Sequence, residues 1–295
     1  MMTLIEKYIR YLRYERNYSS HTEISYSKDL HQFAAFLHDK YQDVDLTTVD
    51  SDIVRLWIVS LMEAGVSPRS VNRKLSALKS FYRYLLRVGE TSVNPMKKVV
   101  GPKMKKAIPT FVKTADIEHI LDSGDCEDTF ESIRDYTILE LFYVTGIRRA
   151  ELIGIKDADV DLGSKTIKVI GKRNKQRLIP LGDRMLDQIE EYIVVRDSEI
   201  DNLSGYLFVK QDGEPLYPML VHRIVSQMLK WISTLSKTSP HVLRHTFATD
   251  MLNNGADINA VKELLGHSSL ASTEVYTHTS FEELKKIYNK AHPRA

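Results

Sequence analysis

The pattern of hydrophobic and polar positions in the first ninety residues predicts four amphipathic helices. In each run, apolar residues recur every three or four positions, which is typical of a helix that packs one face. Residues that start or stop helices flank the runs. The predicted helices cover roughly Thr3–Glu15, the segment after Ser19-Ser20, the segment from Asp50 or Ser51 to a stop at Gly65, and Val71–Leu86 between Ser67-Pro68 and Gly89. We expect a compact helical domain.

The third and fourth helices differ in their patterns. The third carries an apolar stripe that we expect in the core, formed by Ile53, Leu56, Trp57, Val59 and Met62. The fourth interleaves apolar residues with cations, so that one face can pack while the other meets phosphates. Those cations are Arg69, Arg73, Lys74, Lys79, Arg83 and Arg87. A solvated helix face is the commoner explanation for any single basic helix.

A basic interdomain linker is predicted at residues 89–107. Residues 94–109 contain three Pro, one Gly and five Lys, among them Lys105 and Lys106, and are too broken for a helix. Residues 1–107 hold 18 Lys and Arg against 11 Asp and Glu, a net charge of +7. Residues 108–295 hold 23 against 28, a net charge of −5. The uneven charge is compatible with nucleic-acid binding by the first domain or with ordinary surface variation.

Helical patterns dominate residues 108–295 as well, with one exception. In Lys165–Leu181, two runs of alternating polar and apolar residues flank a stretch of turn-forming residues. This pattern predicts a β-hairpin with Lys172 at its tip. A further helix is expected from Ser239-Pro240 to about Asn253, another from Asp257 to Gly266, and a short one carrying Tyr276. The fold class is therefore mainly α: a four-helix domain over residues 1–88, the linker, and an α-rich domain over residues 108–295 with a small antiparallel sheet.

Length and composition restrict the class of protein. The 295 residues suit two domains, and 43% hydrophobic with 27% charged residues is typical of a globular chain. The single cysteine, Cys126, cannot form an intramolecular disulfide, which favours a reducing compartment. Charges interrupt every apolar run in the first thirty residues, so neither a signal peptide nor a transmembrane span is predicted. We expect a cytoplasmic protein without a membrane partner.

The first candidate for chemistry is SPHVLRHTFAT at residues 239–249. Pro240 suits the first helical position, which places His241 and Arg244 on one face near free backbone N–H groups. That arrangement can bind a phosphate, although a buried histidine and a salt-bridged arginine would be the commoner explanation of this helix alone. His241 and His245 are four residues apart, but Val242 stands where a zinc protease needs glutamate, so no metal is expected.

Two further motifs lie at predicted helix ends. In TGIRRAEL, residues 145–152, Gly146 suits a helix C-cap, so Arg148 should lie at a corner with Glu151 one turn on. Arg148 could equally be a structural partner of Glu151. In LLGHSS, His267 follows a helix ended by Gly266 and could be no more than a cap.

Five motifs follow one another along the chain: TGIRRAEL, GKRNKQRLIPL, HVLRHTFAT, LLGHSS and STEVYTH. In this order they resemble the tyrosine recombinases, and within them the Xer type that resolves chromosome dimers. The resemblance spans nearly the whole chain and includes a helical N-terminal core-binding, SAM-like domain that clamps DNA. It implies a catalytic set of Arg148, Lys172, His241, Arg244 and His267, with Tyr276 as nucleophile and Glu151 as a supporting carboxylate. The chain departs from the family pattern at Arg173 and Arg149, beside two of these positions.

The resemblance implies phosphodiester exchange without metal or nucleotide cofactor, because fixed side-chain cations can stabilise a phosphoryl transition state. Tyr276 would form a 3′-phosphotyrosine, and Lys172 would protonate the leaving oxygen, with Lys175 as the weaker candidate. The residues expected to contact DNA are Arg69, Arg73, Lys74, Lys79, Lys105, Lys106, Arg173 and Lys175.

The expected partners are a double-stranded recombination site, a homo- or hetero-tetramer with a related recombinase and a DNA-translocase activator. In the family, a C-terminal tail docks on a neighbour, and Phe281, Leu284 and Ile287 form a stripe that could pack on its own domain or on that neighbour. A mobile-element integrase or invertase, a type IB topoisomerase and a non-catalytic DNA-binding protein are the alternatives.

Overall fold

The computed structural model describes residues 2–41, 44–104, 112–122, 129–171, 174–232, 238–266 and 281–295. The chain divides into two compact units, Met1–Ala107 and Ile108–Ala295. The described residues form twelve α-helices and one small antiparallel sheet, which confirms the mainly α fold class. None of the described helices is long and apolar enough to cross a membrane.

The four predicted N-terminal helices are confirmed. They are α1 (Leu4–Tyr14), α2 (Ser20–Lys40), α3 (Ser51–Glu63) and α4 (Pro68–Arg87). Each starts where a side-chain oxygen accepts a hydrogen bond from a backbone N–H group of the first turn, and the residues that provide this cap are Thr3, Ser19, Asp50 and Ser67. Because these N–H groups have no partner inside the helix, the caps fix the starting residues.

The core of the first unit corrects the predicted face of α3. Tyr8, Phe33, Trp57 and Phe81 are buried together, with Phe33 packed on Trp57 at 4.8 Å between ring centroids. The α3 residues that accompany Trp57 inside are Val54 and Leu61, whereas three residues expected in the core are exposed: Leu56, Val59 and Met62. This helix is apolar on more than one side, so its periodicity alone could not select the buried face.

Part of the predicted linker is packed on the first unit. Pro95–Lys98 forms a 3-10 turn capped by Asn94, whose side chain accepts from the backbone N–H of Met96. Met96 and Val99 are buried in the same core as the four helices. Apolar residues between the lysines therefore attach this stretch to the N-terminal unit.

The second unit contains the remaining helices and the sheet. The helices are α5 (Thr114–Asp122), α6 (Phe130–Thr145), α7 (Arg149–Ile153), α8 (Asp183–Glu199), α9 (Pro218–Met228), α10 (Pro240–Asn253), α11 (Ile258–Leu264) and α12 (Phe281–Ala291). The strands are β1 (Val160–Asp161), β2 (Thr166–Ile170) and β3 (Gln176–Pro180), in the order β1-β2-β3.

Helix α6 is the centre of this unit, since it is buried along nearly its whole length and packs on α8, α9 and α10. The predicted hairpin is confirmed as β2 and β3, which pair antiparallel with Ile167 opposite Ile179. Both isoleucines and Val169 are buried, so the sheet packs one face on the core. The expected tip residue, Lys172, lies outside the described residues.

The C-terminal helix α12 packs on its own unit. Leu284 and Tyr288 are buried in one cluster with residues of α10 and α11, including Phe247, Val261 and Leu264. Of the expected stripe, Leu284 is buried in this cluster and Ile287 is partly buried against it, so this part of the stripe packs on its own unit. Docking of the C-terminal helix on a neighbour stays a prediction.

Candidate active site

Arg148 lies at a tight corner between α6 and α7. Gly146 ends α6 in the left-handed region at φ 59°, and Arg148 is the residue immediately before α7. A Cβ atom on Gly146 would lie 2.7 Å from the Phe247 ring and 2.8 Å from a Leu265 methyl group. Only glycine fits both the conformation and the space, so the corner that presents Arg148 depends on it.

Glu151 holds Arg148 in place and is itself buried. Its carboxylate accepts hydrogen bonds from the Arg148 backbone N–H at 2.8 Å and from Arg148 Nη1 at 2.7 Å. It also accepts two parallel bonds from Arg177, at 2.9 and 2.8 Å. Burial alone would raise the pKa of Glu151, but these hydrogen bonds outweigh it and hold the pKa below its ordinary value. Glu151 is therefore ionised at neutral pH.

Arg244 lies on α10 with only 8% of its surface exposed. Its Nη1 donates to the Gly146 carbonyl at 2.5 Å and its Nη2 to the Leu265 carbonyl at 2.6 Å. Burial, followed by the neighbouring positive charge of Arg148, lowers the pKa of Arg244 to about 10. The guanidinium stays protonated at neutral pH, and it lies next to another cation.

Three arginines converge on the carboxyl end of α11. Arg177 Nε donates to the Leu264 carbonyl at 2.8 Å, Arg244 donates to Leu265, and Arg148 Nη2 donates to Gly266 at 3.0 Å. These are consecutive carbonyls at a helix end, which lack partners inside the helix and carry partial negative charge. The helix end therefore gathers side chains that the sequence separates by almost a hundred residues.

The arginine cluster, defined as Arg148, Arg177 and Arg244, has an excess of positive charge. Within the described parts of the chain, Glu151 is the one carboxylate that pairs with it. A guanidinium has five N–H donors, and Arg148 and Arg244 each use two in the bonds described above. The unused donors and the unbalanced charge are suited to an anion such as a phosphate.

His241 lies near this cluster, at the second residue of α10, a helix whose N-cap residue, Ser239, forms no side-chain capping hydrogen bond. Partial burial lowers its pKa, and the positive charge of Arg149 lowers it further, followed by smaller effects from His245, Arg244 and Arg148. His241 is therefore neutral at pH 7 without an anion. A phosphate bound to the arginines would reverse part of this effect.

Three of the expected catalytic residues lie outside the described residues, namely Lys172, His267 and Tyr276. Three expected DNA contacts do too, Lys105, Lys106 and Arg173. Lys175 is exposed, and its carbonyl accepts from the Gly171 N–H at 2.8 Å, which closes the hairpin below its tip. The structure brings four of the expected site residues to one region of the second unit, namely Arg148, Glu151, Arg244 and His241.

Arg177 was missed as a functional candidate. The sequence places it in the second strand of the hairpin, and nothing in the motif distinguishes it from other strand residues. A signal was nevertheless present: Arg177 alternates with Ile179, so it shares the inward side of β3 with a core residue. A charged residue at an inward position requires a partner, and that partner is Glu151.

The basic face of α4 is only partly as expected. Lys74 is 8% exposed, and its Nζ donates to Asp29 at 2.9 Å and to Gln32 at 2.5 Å. Lys74 is therefore paired with a carboxylate inside the unit. The DNA contact expected of Lys74 stays a prediction. Arg73 remains exposed but pairs with the same aspartate and donates to Ser25 at 2.5 Å.

Arg69 and Lys79 are exposed on α4, and neither forms an ion pair with another described residue. No group of three or more His, Cys, Asp and Glu side chains in the described part of the chain could hold a metal ion.

Comparison with known proteins shows the family of the chain. Residues 110–283 match the Phage integrase family, and residues 5–89 match the domain described as Phage integrase, N-terminal SAM-like domain. The chain therefore belongs to the phage integrase family of tyrosine recombinases, enzymes of site-specific DNA recombination. It is similar to tyrosine recombinase XerC of Chlorobaculum parvum, with 39% identity covering 99% of this chain and 94% of that protein. Tyrosine recombinase XerC of Staphylococcus saprophyticus is 38% identical, covering 100% and 99%.

Solved structures share the fold. One is the XerH site-specific recombinase bound to a palindromic difH substrate in a post-cleavage complex, with a TM-score of 0.74 and 23% identity over 96% of this chain and 82% of that chain. Another is the Tn1549 transposon integrase in complex with transposon right end DNA, with a TM-score of 0.72 and 21% identity over 97% and 98%.

Proposed function

We propose that this recombinase acts on a dif-like chromosomal site and resolves chromosome dimers through a Holliday junction. The observation that carries the chemical part of the proposal is the convergence of Arg148 and Arg244 on the end of α11, directly before His267 in the chain. The chromosomal role is supported by the XerC relatives, which are similar over 94% and 99% of their own length.

In the proposed reaction, the unused donors of Arg148 and Arg244 bind the nonbridging oxygens of the scissile phosphate. His241, neutral at rest, and His267 add donors and manage the tyrosine proton. Charge that develops in the transition state then meets fixed cations, so no metal is needed for that step.

Tyr276 would attack the phosphorus and form the tyrosine–phosphate bond while the bond to the 5′ oxygen breaks. Lys172 would give that leaving oxygen its proton, with Lys175 as the alternative donor. The free 5′-hydroxyl of a partner strand can then attack the phosphotyrosine and release Tyr276, because the number of phosphoester bonds is unchanged at each step.

Recombination requires more than one protomer. We infer that two copies bind one site and that two such pairs form a homo- or hetero-tetramer, activated by a DNA translocase. The XerH structure contains a palindromic substrate, and a palindrome offers two equal half-sites to a protein pair. This parallel supports the pairwise binding proposed for the present chain, in a cytoplasmic setting.

The test of the chemistry is a nicked suicide duplex that carries a dif-like site. The full chain should form a covalent protein–DNA adduct that survives denaturant, and Tyr276→Phe should form none. An adduct in Tyr276→Phe would show that another residue attacks. Absence of any adduct with the unmodified chain on this duplex would count against recombination at such a site.

The second candidate function is integration or inversion of a mobile element, favoured by the fold shared with the Tn1549 transposon integrase. The two functions differ in their DNA sites. Sequencing the DNA that the chain binds in its host should recover one locus near the replication terminus for dimer resolution. Scattered element ends would favour the integrase instead.

A further inference from the structure

Arg177 connects three parts of the second unit. Through its two terminal nitrogens it binds both oxygens of Glu151 on α7, and through Nε it binds the Leu264 carbonyl at the end of α11. Arg177 itself lies on β3, five residues after Lys172 at the predicted hairpin tip. The Arg177 side chain therefore links the hairpin to Glu151, which binds Arg148, and to α11, which precedes His267 in the sequence.

Two glycines provide the space for this connection. A Cβ atom on Gly266 would lie 3.0 Å from Arg177 Nη1, and Gly266 has φ 62°, a conformation that other residues rarely adopt. A Cβ atom on Gly171 would lie 3.2 Å from a Glu151 carboxylate oxygen. Gly171 directly precedes Lys172 in the sequence, and Gly266 directly precedes His267. The Arg177–Glu151 ion pair therefore lies next to the residues that precede these two predicted catalytic residues.

Donor use separates Arg177 from the other two arginines. All three of its guanidinium nitrogens are engaged by Glu151 and Leu264, and its side chain is 12% exposed. Arg148 has a 34% exposed side chain and an uncommitted Nε among its described contacts. Arg148 is therefore available to a phosphate, whereas Arg177 is fixed by its surroundings.

We propose that Arg177 is a positioning residue, which holds the base of the hairpin and the end of α11 in one fixed relation to Arg148. This inference rests on the proposed function, since it assigns Arg177 a part in aligning the predicted Lys172 and His267 with the phosphate. Misplacement of a reacting group by about 1 Å costs on the order of 100-fold in rate. Removing the connection should slow chemistry without removing a DNA contact.

The test compares Arg177→Met and Arg177→Lys with the unmodified chain on the nicked duplex, in single-turnover reactions. Arg177→Met should form the covalent adduct about 10- to 100-fold more slowly, with a Kd for the same duplex changed less than about threefold. Arg177→Lys should recover only part of the rate, because an ammonium cannot make the paired bonds to Glu151 together with the bond to Leu264.

Arg196→Met is the matched control. Arg196 is buried in the same unit, binds both oxygens of Asp157 at 2.7 and 3.2 Å, and donates to the Leu207 carbonyl at 2.9 Å. It has the same kinds of partners as Arg177 but lies outside the arginine cluster. Where the two Met variants lose comparable stability, only Arg177→Met should slow adduct formation. Equal slowing by both, or full activity of Arg177→Lys, would overturn the proposal.

Hydrogen exchange of the full chain gives a readout that does not depend on cleavage. Arg177→Met should speed amide exchange in residues 258–266, and Arg196→Met should leave that segment unchanged. Unchanged exchange in Arg177→Met would overturn the positioning role even if the chain recombines DNA. Faster exchange, with no adduct from the unmodified chain, would instead support the positioning role and count against the proposed function.

Discussion

Two buried arginines of the second unit differ in how their charge is neutralised. Burial would lower the pKa of Arg196, but hydrogen bonds to Asp157 and Asp197 outweigh it and raise the pKa above its ordinary value. Arg244 is also buried, yet it binds only carbonyls among its described partners and its pKa is lowered. An arginine with two carboxylates is a structural ion pair. An arginine held by carbonyls beside another cation keeps the capacity to bind an anion.

At the residue scale, Glu151→Gln should destabilise the chain by about 3 kcal/mol at pH 7, because it leaves the largely buried Arg177 and the partly exposed Arg148 without a counterion. Urea denaturation followed by circular dichroism measures the change. The pKa of Glu151 is lowered in the folded state, so its stabilisation is present above the unfolded value and is lost as the pH falls. The difference between the two proteins should therefore shrink below roughly pH 4.

Glu15→Gln is the control for this prediction. Glu15 pairs with Arg87 at 3.6 Å, and its side chain is 66% exposed. An exposed pair of this kind contributes about 0 to 1 kcal/mol. A loss at Glu151 no larger than the loss at Glu15 would show that the arginine cluster does not depend on its carboxylate.

At the scale of elements, the segment after α12 is fixed by His292. Its ring lies between Tyr288 and Phe247, Nδ1 accepts from the Arg294 N–H at 3.1 Å, and Nε2 can donate to the Tyr143 carbonyl at 3.3 Å. Those contacts suit the neutral ring with its proton on Nε2, since a second proton would remove the acceptor. Burial lowers the pKa of His292 to about 4.

This burial predicts a loss of stability in mild acid. Below pH 6.5 the unfolded chain binds a proton at His292 that the folded chain does not bind until about pH 4. The contribution of the neutral His292 to the free energy of unfolding is fully present above pH 6.5 and falls by roughly 3 kcal/mol as the pH approaches 4. In urea denaturation, the stability of His292→Phe should decline less over this pH range than that of the unmodified chain. His38 has an 88% exposed side chain, so His38→Phe should decline as the unmodified chain does. Parallel declines in all three proteins would contradict the prediction.

At the scale of the whole molecule, charge divides between the two units. The N-terminal unit carries a net charge of +7 and the C-terminal unit one of −5. This division supports our proposal that the N-terminal unit supplies phosphate contacts to DNA. The basic residues of α4 differ in their exposure. Lys74 is buried and pairs with Asp29, whereas Arg69 and Lys79 are exposed to solvent.

Replacing both Arg69 and Lys79 by Ala should reduce the dependence of DNA affinity on salt. Each phosphate contact adds about 0.9 to the slope of log K against log salt concentration, so the slope should fall by about 2. Fluorescence anisotropy of a labelled duplex across a KCl series measures it. Lys74→Met is the contrast: it should destabilise the unit by removing a partner of Asp29 and leave the slope unchanged. A slope that drops equally in Lys74→Met would place Lys74 on the DNA instead.

Local signals in the sequence were sufficient for most elements and for part of the site. Caps and glycines determined where α1 to α4 begin and where α6 ends, because these residues act through their own backbone and immediate neighbours. The alternating residues determined the hairpin. The motifs identified Arg148, Glu151 and Arg244 as candidates, whereas the inward side of α3 was predicted wrongly because its apolar residues are not confined to one face.

The sequence by itself determined the helical class, the starts of the N-terminal helices and the types of residue that could bind a phosphate, since periodicity and capping are local properties of the chain. Only the tertiary structure decided which charges are free and which are neutralised. Lys74 and Arg177 are ordinary cations in the sequence, but each is committed to a carboxylate from a distant helix. The packing that brings α7, β3 and α10 to one end of α11 creates the arginine cluster, and that packing is a property of the fold rather than of any segment.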